Sequence, residues 1–286
     1  MIELELKPPR PYRLAEAVGG RDPTRRMRGG VLDVALLTEA GAGRARVWQR
    51  HDGTLSARVT APDAAAAVDR LQFVLGVDVD HTPFLRMASR DPLLGPFVRR
   101  RPALRPSRCG SFAQSLVRAL AGQLVPAVEA ARIERRLLGA IAERRDGLRV
   151  PPATAELRRL APAQGERCGL SPRRSGLLVR LARTLPEDRL ASAPTEAALR
   201  RLMAEPGVGP WAAGVICGQG LGRVDAGPAG DLGLVKLCSA LLRSKADSTD
   251  TERLLQTYAP WQGFAAAHLL SHPLARGQAY RGFLAA

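Results

Sequence analysis

The residues with the most chemical potential lie between Leu202 and Asp231. In Leu202–Trp211, LMAEPGVGPW, a helix ends at Ala204 and the turn Pro206-Gly207-Val208-Gly209 must reverse the chain sharply. Two glycines there flank a single apolar residue, and glycine tolerates the backbone angles of a tight turn. Pro210 opens the next helix, where its missing N–H costs nothing. Glycine N–H groups at a helix N-terminus suit one phosphate, so Gly207 and Gly209 are candidate phosphate contacts and Val208 a plug turned inward. An ordinary corner between two helices has the same pattern. Further on, VDAGPAGDLGLVKL (224–237) sets Asp231 just before an apolar run. That is an ordinary N-cap position. A carboxylate there could also stabilise a developing positive charge or orient and deprotonate a water. Asp225 is the second-choice acid.

Other chemistries find less support. Cys109, Cys168, Cys217 and Cys238 form no CxxC pair, so neither zinc nor an iron–sulfur cluster is expected. His268 and His272 could share a helix face, but no third ligand accompanies them and Pro273 follows at once. Gly220-Leu221-Gly222 lacks the strand–helix context of a dinucleotide site. No apolar run is long enough to span a membrane, and Met1–Glu5 lacks the features of a signal peptide, so a cytoplasmic protein is expected.

Charge points to a polyanionic partner. The chain of 286 residues carries 43 basic and 27 acidic side chains, net +16. Residues 1–80 are nearly balanced at net +1, whereas residues 81–286 hold the remaining +15. The densest stretch runs from Arg86 to Arg108. It is either a solvated basic surface or a surface for phosphate contact and steering.

Elements that must position these groups follow from periodicity. Alternation in Ile2–Leu6, Arg44–Gln49 and Leu55–Val59, an apolar-rich Val31–Thr38 and the turn His51-Asp52-Gly53 predict an antiparallel sheet. Ala64–Leu75 predicts a helix capped by Asp63, with Ala64, Val68, Leu71 and Leu75 facing inward. From about residue 82 the chain turns helical. Phe112 begins one helix, capped by Ser111, with Phe112, Leu116, Ala119, Leu120 and Gln123 on one face. Further helices are expected at Val128–Glu143, Pro172–Leu185 and Glu196–Ala204. The expected domains are an α+β unit over 1–81 and a helical core over 82–286, with its hairpin at 205–210.

The hairpin followed by Asp231 resembles the helix-hairpin-helix superfamily of DNA glycosylases. Further segments resemble its bacterial 3-methyladenine DNA glycosylase II branch: Leu104-Arg105-Pro106, Leu120-Ala121-Gly122-Gln123-Leu124-Val125, Cys168-Gly169-Leu170-Ser171 with Arg173 and Arg174, and Tyr258-Ala259-Pro260-Trp261. The resemblance covers about residues 82–270. It implies an α+β fold, with a TATA-binding-protein-like sheet before a two-lobed helical core. It also implies Asp231 as the catalytic acid, Leu124 as the wedge that fills the gap left by a flipped base, and Trp211, Leu232 and Leu270 as walls of the base pocket. From sequence alone Leu124 reads equally as core. Leu232 and Leu270 stand where aromatic residues are expected, which suggests a roomier pocket.

The chemistry suits these residues. Cleaving an N-glycosidic bond builds positive charge on the sugar, which one carboxylate can stabilise. A purine alkylated at N3 or N7 is already cationic and leaves without protonation. Lyases of the superfamily carry a Schiff-base lysine just after the hairpin; here that place is Trp211, and an indole cannot do this. The expected protein is therefore a monofunctional glycosylase for alkylated purines in base excision repair. Its partner would be damaged double-stranded DNA, without a membrane or a protein partner. It would be a monomer, working at the bacterial nucleoid. No cofactor is required, although the resemblance implies a structural Na+ or K+ on the backbone carbonyls of Met203, Glu205 and Val208. The alternatives are a glycosylase of the same fold for oxidised or bulky bases, and a non-catalytic DNA-binding protein that would not need Asp231.

Overall fold

A period-two pattern of apolar residues builds the N-terminal sheet in this computed structural model, which describes residues 1–18 and 22–278. The end of the expected 82–286 core, from residue 279 on, lies outside the described residues. Strands β1 (Ile2–Leu6), β2 (Arg25–Arg28), β3 (Val31–Thr38), β4 (Gly41–Gln49) and β5 (Leu55–Thr60) pair antiparallel in the order β1-β5-β4-β3-β2. Leu32 opposes Val47, and Val47 opposes Ala57. One face is thus continuously apolar, because alternate residues of a strand share a face. Helix Ala64–Leu75 covers that face. Asp63 caps it by accepting from the Ala66 N–H at 3.0 Å, and Gly76 ends it at φ +65°. The helix has the expected bounds, but its buried stripe is Ala67, Leu71, Val74 and Leu75. Val68 packs half-buried against the same core as expected, and Ala67 and Val74 join the stripe because the sheet meets the helix on a face slightly rotated from the one periodicity favours, which leaves Ala64 only half-buried.

The chain then becomes helical. Helix Phe112–Gly122, capped by Ser111 through the Gln114 N–H at 3.1 Å, runs through the middle of the core. All its residues from Phe112 to Ala121 are buried except Arg118. It is not the one-faced helix the pattern suggested, since neighbours pack around it on every side. Helices Ala127–Ile141, Pro172–Thr184 and Thr195–Met203 lie within a residue or two of expectation. Sequence periodicity gave no sign of the short helices Thr82–Ala88 and Gly95–Arg100, nor of Ser248–Gln256 and Gln262–Leu269.

Arginines join the sheet to the helices. Arg105 donates to the carbonyls of Gly76 and Val79, each at 2.8 Å, and Arg108 to the Asp78 carboxylate at 2.6 Å. Both are buried, so the basic stretch from Arg86 to Arg108 is partly a structural joint and not wholly a surface for phosphate. Arg118 donates to Asp22 at 2.7 Å and Glu134 at 2.8 Å. Gln114 also reaches Asp22, at 3.1 Å. Burial would raise the Asp22 carboxyl, but Arg25 and Arg118 beside it, with hydrogen bonds from Thr24, hold it well below the usual aspartate range.

Asp22→Asn leaves Arg118 and Arg25 short of a buried counter-charge. It should lower the unfolding free energy at pH 7 by about 3 kcal/mol, read by urea denaturation. The folded-state carboxyl is depressed, so its stabilisation is present above the unfolded aspartate value of about 3.9 and fades as pH falls below it. The gap between variant and native protein should therefore narrow in acid.

Candidate active site

The hairpin is built by side chains that turn inward. Helix Thr195–Met203 ends, the chain turns through Glu205–Gly209, and Pro210 starts the helix Pro210–Val215. Val208 is 6% exposed and belongs to the same buried apolar core as Leu177 and Leu202. The Glu205 side chain also turns in, accepting from Arg201 at 2.9 Å and Thr184 Oγ1 at 3.3 Å. The Val208 N–H closes the turn on the Glu205 carbonyl at 3.0 Å.

The two glycines differ. Gly207 has φ +98°, and a Cβ there would lie 2.9 Å from Leu177 Cδ2, so the fold itself demands glycine. Gly209 has φ −95°, is exposed, and has no atom within 4 Å of a built Cβ. Nothing inside the protein requires glycine there; the bare backbone faces outward, open to close approach by a phosphate.

Helix Leu232–Leu242 begins at Asp231, which is both its N-cap and the group held by the hairpin helix. Oδ1 accepts the Gly233 N–H at 2.8 Å, and Oδ2 accepts the indole Nε1–H of Trp211 at 3.0 Å. One aspartate therefore satisfies an orphan helix N–H and is also clamped in orientation from the opposite side. The preceding Gly230, at φ +82°, is fixed by its N–H to Thr251 Oγ1 at 2.6 Å. Asp225 is engaged elsewhere, accepting from Thr195 Oγ1 at 2.8 Å.

Of the three expected pocket residues, Trp211 and Leu270 come close to this aspartate. Trp211 bonds to it directly. Leu270 is close enough that a Cβ on Gly233 would sit 2.8 Å from its Cδ2. Leu232 follows it in sequence and is 56% exposed. Gly122 was not singled out from sequence as a site residue, yet a Cβ there would lie 2.5 Å from Cη2 of Trp211. Thr251 left no signal, because an interior threonine in a helix looks like any other. Leu124 is 95% exposed at φ +56°, which removes the core reading. A leucine in the left-handed region costs roughly 1 kcal/mol.

His268 and His272 are fully buried, and among the described residues no group of His, Cys, Asp and Glu could hold a metal ion. His268 lies against Phe84, ring centroids 5.7 Å apart, and burial brings its imidazole down to about 4. No described helix is long and apolar enough to cross a membrane.

The described fold, sheet and helical core together, is similar to that of solved DNA glycosylases. The 3-methyladenine DNA-glycosylase of Archaeoglobus fulgidus superposes with a TM-score of 0.81 at 19% identity, over 96% of this chain and 98% of that one. The 8-oxoguanine glycosylase/lyase of Clostridium acetobutylicum, solved with double-stranded DNA, gives 0.77 at 15% identity, over 97% and 99%. In sequence, a Mycobacterium tuberculosis protein described as "Probable bifunctional transcriptional activator/DNA repair enzyme AlkA" is 30% identical over 223 residues. That match covers 74% of this chain and spans 44% of the relative's length. No protein-family model matches the chain.

The contrast between the glycines is testable. Gly207→Ala should lose about 1–3 kcal/mol of stability, because the backbone stays in a region alanine avoids. Gly209→Ala should melt within a degree or two of the native protein and still weaken damaged and undamaged duplexes alike, as measured by fluorescence anisotropy.

Proposed function

We propose that the protein is a monofunctional DNA glycosylase that removes cationic N3- or N7-alkylated purines from double-stranded DNA. The observation that carries this reading is the Asp231 carboxylate, held by the Trp211 indole N–H at 3.0 Å directly behind a glycine hairpin. The likeness to the 3-methyladenine DNA-glycosylase of Archaeoglobus supports an activity on alkylated bases, and the mycobacterial DNA repair enzyme supports a role in repair.

On this reading the hairpin backbone at Gly207 and Gly209 grips a phosphate. Leu124 enters the stack as the target nucleotide turns out, because the sugar carbon cannot be reached inside a duplex. The base stacks on Trp211, where an electron-rich indole face favours a cationic ring. Leu232 and Leu270 complete the walls without aromatic stacking. Asp231 lies beside C1′. As the N-glycosidic bond breaks, its electron pair leaves with the base and neutralises it. The positive charge left on the sugar faces the carboxylate. A water then adds to C1′ and loses its proton to Asp231 or to solvent. Trp211 stands where a Schiff-base lysine would be required, so no covalent intermediate forms and the abasic strand stays intact.

The carbonyls of Met203, Glu205 and Val208 are uncharged oxygen donors of the kind monovalent cations take. The Glu205 carboxylate is turned away toward Arg201. We propose that Na+ or K+ binds there and adds positive charge on the phosphate side of the hairpin.

A second reading, release of oxidised bases, is favoured by the likeness to the Clostridium 8-oxoguanine enzyme. A panel of duplexes, each with one defined lesion, separates the two by which base is released.

Asp231→Asn removes the charge and keeps one acceptor: the amide oxygen can still cap the helix, while the amide NH2 meets the Trp211 indole N–H donor against donor. It should lose about 1–2 kcal/mol of stability, bind duplex within a few-fold, and release base at least about 10²-fold more slowly in single turnover. Borohydride should trap no protein–DNA adduct with the native enzyme; a trapped adduct would refute the water mechanism.

A further inference from the structure

We propose that Gln123 is a positioning residue that braces the Leu124 turn against the glycine hairpin, so that gripping the backbone and displacing a base are acts of one rigid unit. This rests on the reading of the protein as a base-flipping glycosylase.

Gln123 follows helix Phe112–Gly122 with extended backbone, φ −62° and ψ 120°. Its side chain crosses to the hairpin, where Nε2 donates to the Gly207 carbonyl at 3.0 Å. Arg174 holds the same turn from another side. Its Nη1 donates to the Gln123 carbonyl at 3.0 Å and the Leu120 carbonyl at 3.4 Å. Its Nε donates to Ser171 Oγ at 3.3 Å, at the cap of its own helix.

The turn needs these holds because Leu124 supplies none. At 95% exposure it adds almost no packing, and its φ of +56° persists only where the surroundings fix it. The hairpin, by contrast, is anchored without Gln123. Val208 is buried, Glu205 is held by Arg201, and Arg180 Nη2 donates to the Pro206 carbonyl at 2.6 Å. Loss of the Gln123 amide should therefore free the wedge turn and leave the phosphate grip intact.

Freedom at this turn is costly to the reaction. A wedge that must first be ordered gives up part of what its insertion gains, whereas one already in place does not. The same turn adjoins Gly122, on which the Trp211 ring rests, so a loose turn also relaxes the support of the indole that clamps Asp231.

The test uses the full chain with Gln123→Leu and Arg174→Met. Each is measured for undamaged-duplex affinity, for extrusion of a 2-aminopurine at the target position, and for single-turnover base release. Both variants should lower extrusion and release by about tenfold. Undamaged-duplex affinity should change by less than about twofold, because it depends on the phosphate grip. Gln123→Met keeps the length and neutrality of the side chain and removes the donor to the Gly207 carbonyl; it should behave as Gln123→Leu does, and it replaces that variant if leucine does not fold. Native extrusion in either Gln123 variant overturns the brace. So does a defect in the Gln123 variants without one in Arg174→Met, which would mean that Gln123 touches DNA itself. If the native protein releases no base from any lesion, the glycosylase reading fails first, and the brace with it.

Discussion

The hydrogen bond from Trp211 to Asp231 joins two helices that the chain places apart, and the geometry of the site depends on it. Its donor sits at the start of the hairpin helix and its acceptor at the start of the next long helix. Each partner has a second constraint. Asp231 must cap its helix, which fixes Oδ1 on Gly233. Trp211 must lie on Gly122, where there is no room for any side chain. The carboxylate is left with one orientation, which is what preorganised electrostatic stabilisation requires.

Around this centre, two elements face outward in different ways. The hairpin presents bare backbone at Gly209 while Val208 and Glu205 point in and lock it. The Leu124 turn presents a large apolar side chain to solvent, in a backbone region leucine avoids. An exposed leucine adds nothing to folding, so its position is held by polar contacts to neighbouring carbonyls. Both arrangements spend conformational freedom before any ligand arrives.

Arginine has two jobs in this chain. Many arginines keep the 81–286 segment strongly positive, as a polyanion-binding surface requires. Others are structural: Arg105 and Arg108 seal the sheet to the helices, Arg118 lies in a buried network with Asp22 and Glu134, and Arg174 ties down a turn. A guanidinium suits the second job because its fork of donors can satisfy several carbonyls or carboxylates at once. Net charge therefore overstates how much of this chain's arginine is available to a phosphate backbone.

Local patterns alone determined a good part of this protein. Alternation marked β1, β4 and β5 and an apolar run marked β3; Asp63 and Ser111 marked true helix starts; and Pro210 after two glycines marked the hairpin. Asp231 was legible because a cap residue before an apolar run is a local signal. Tertiary structure decided what no local pattern encodes. It extended the buried stripe of Ala64–Leu75 to Ala67 and Val74, surrounded Phe112–Gly122 on all sides, and drew Arg105 and Arg108 out of an apparent surface run. It also placed Leu124 outside the core, which its residue type alone does not reveal. Above all it brought Gly122, Trp211, Asp231 and Thr251 together, since contacts between distant segments depend on how helices pack and leave no trace in the spacing of their residues.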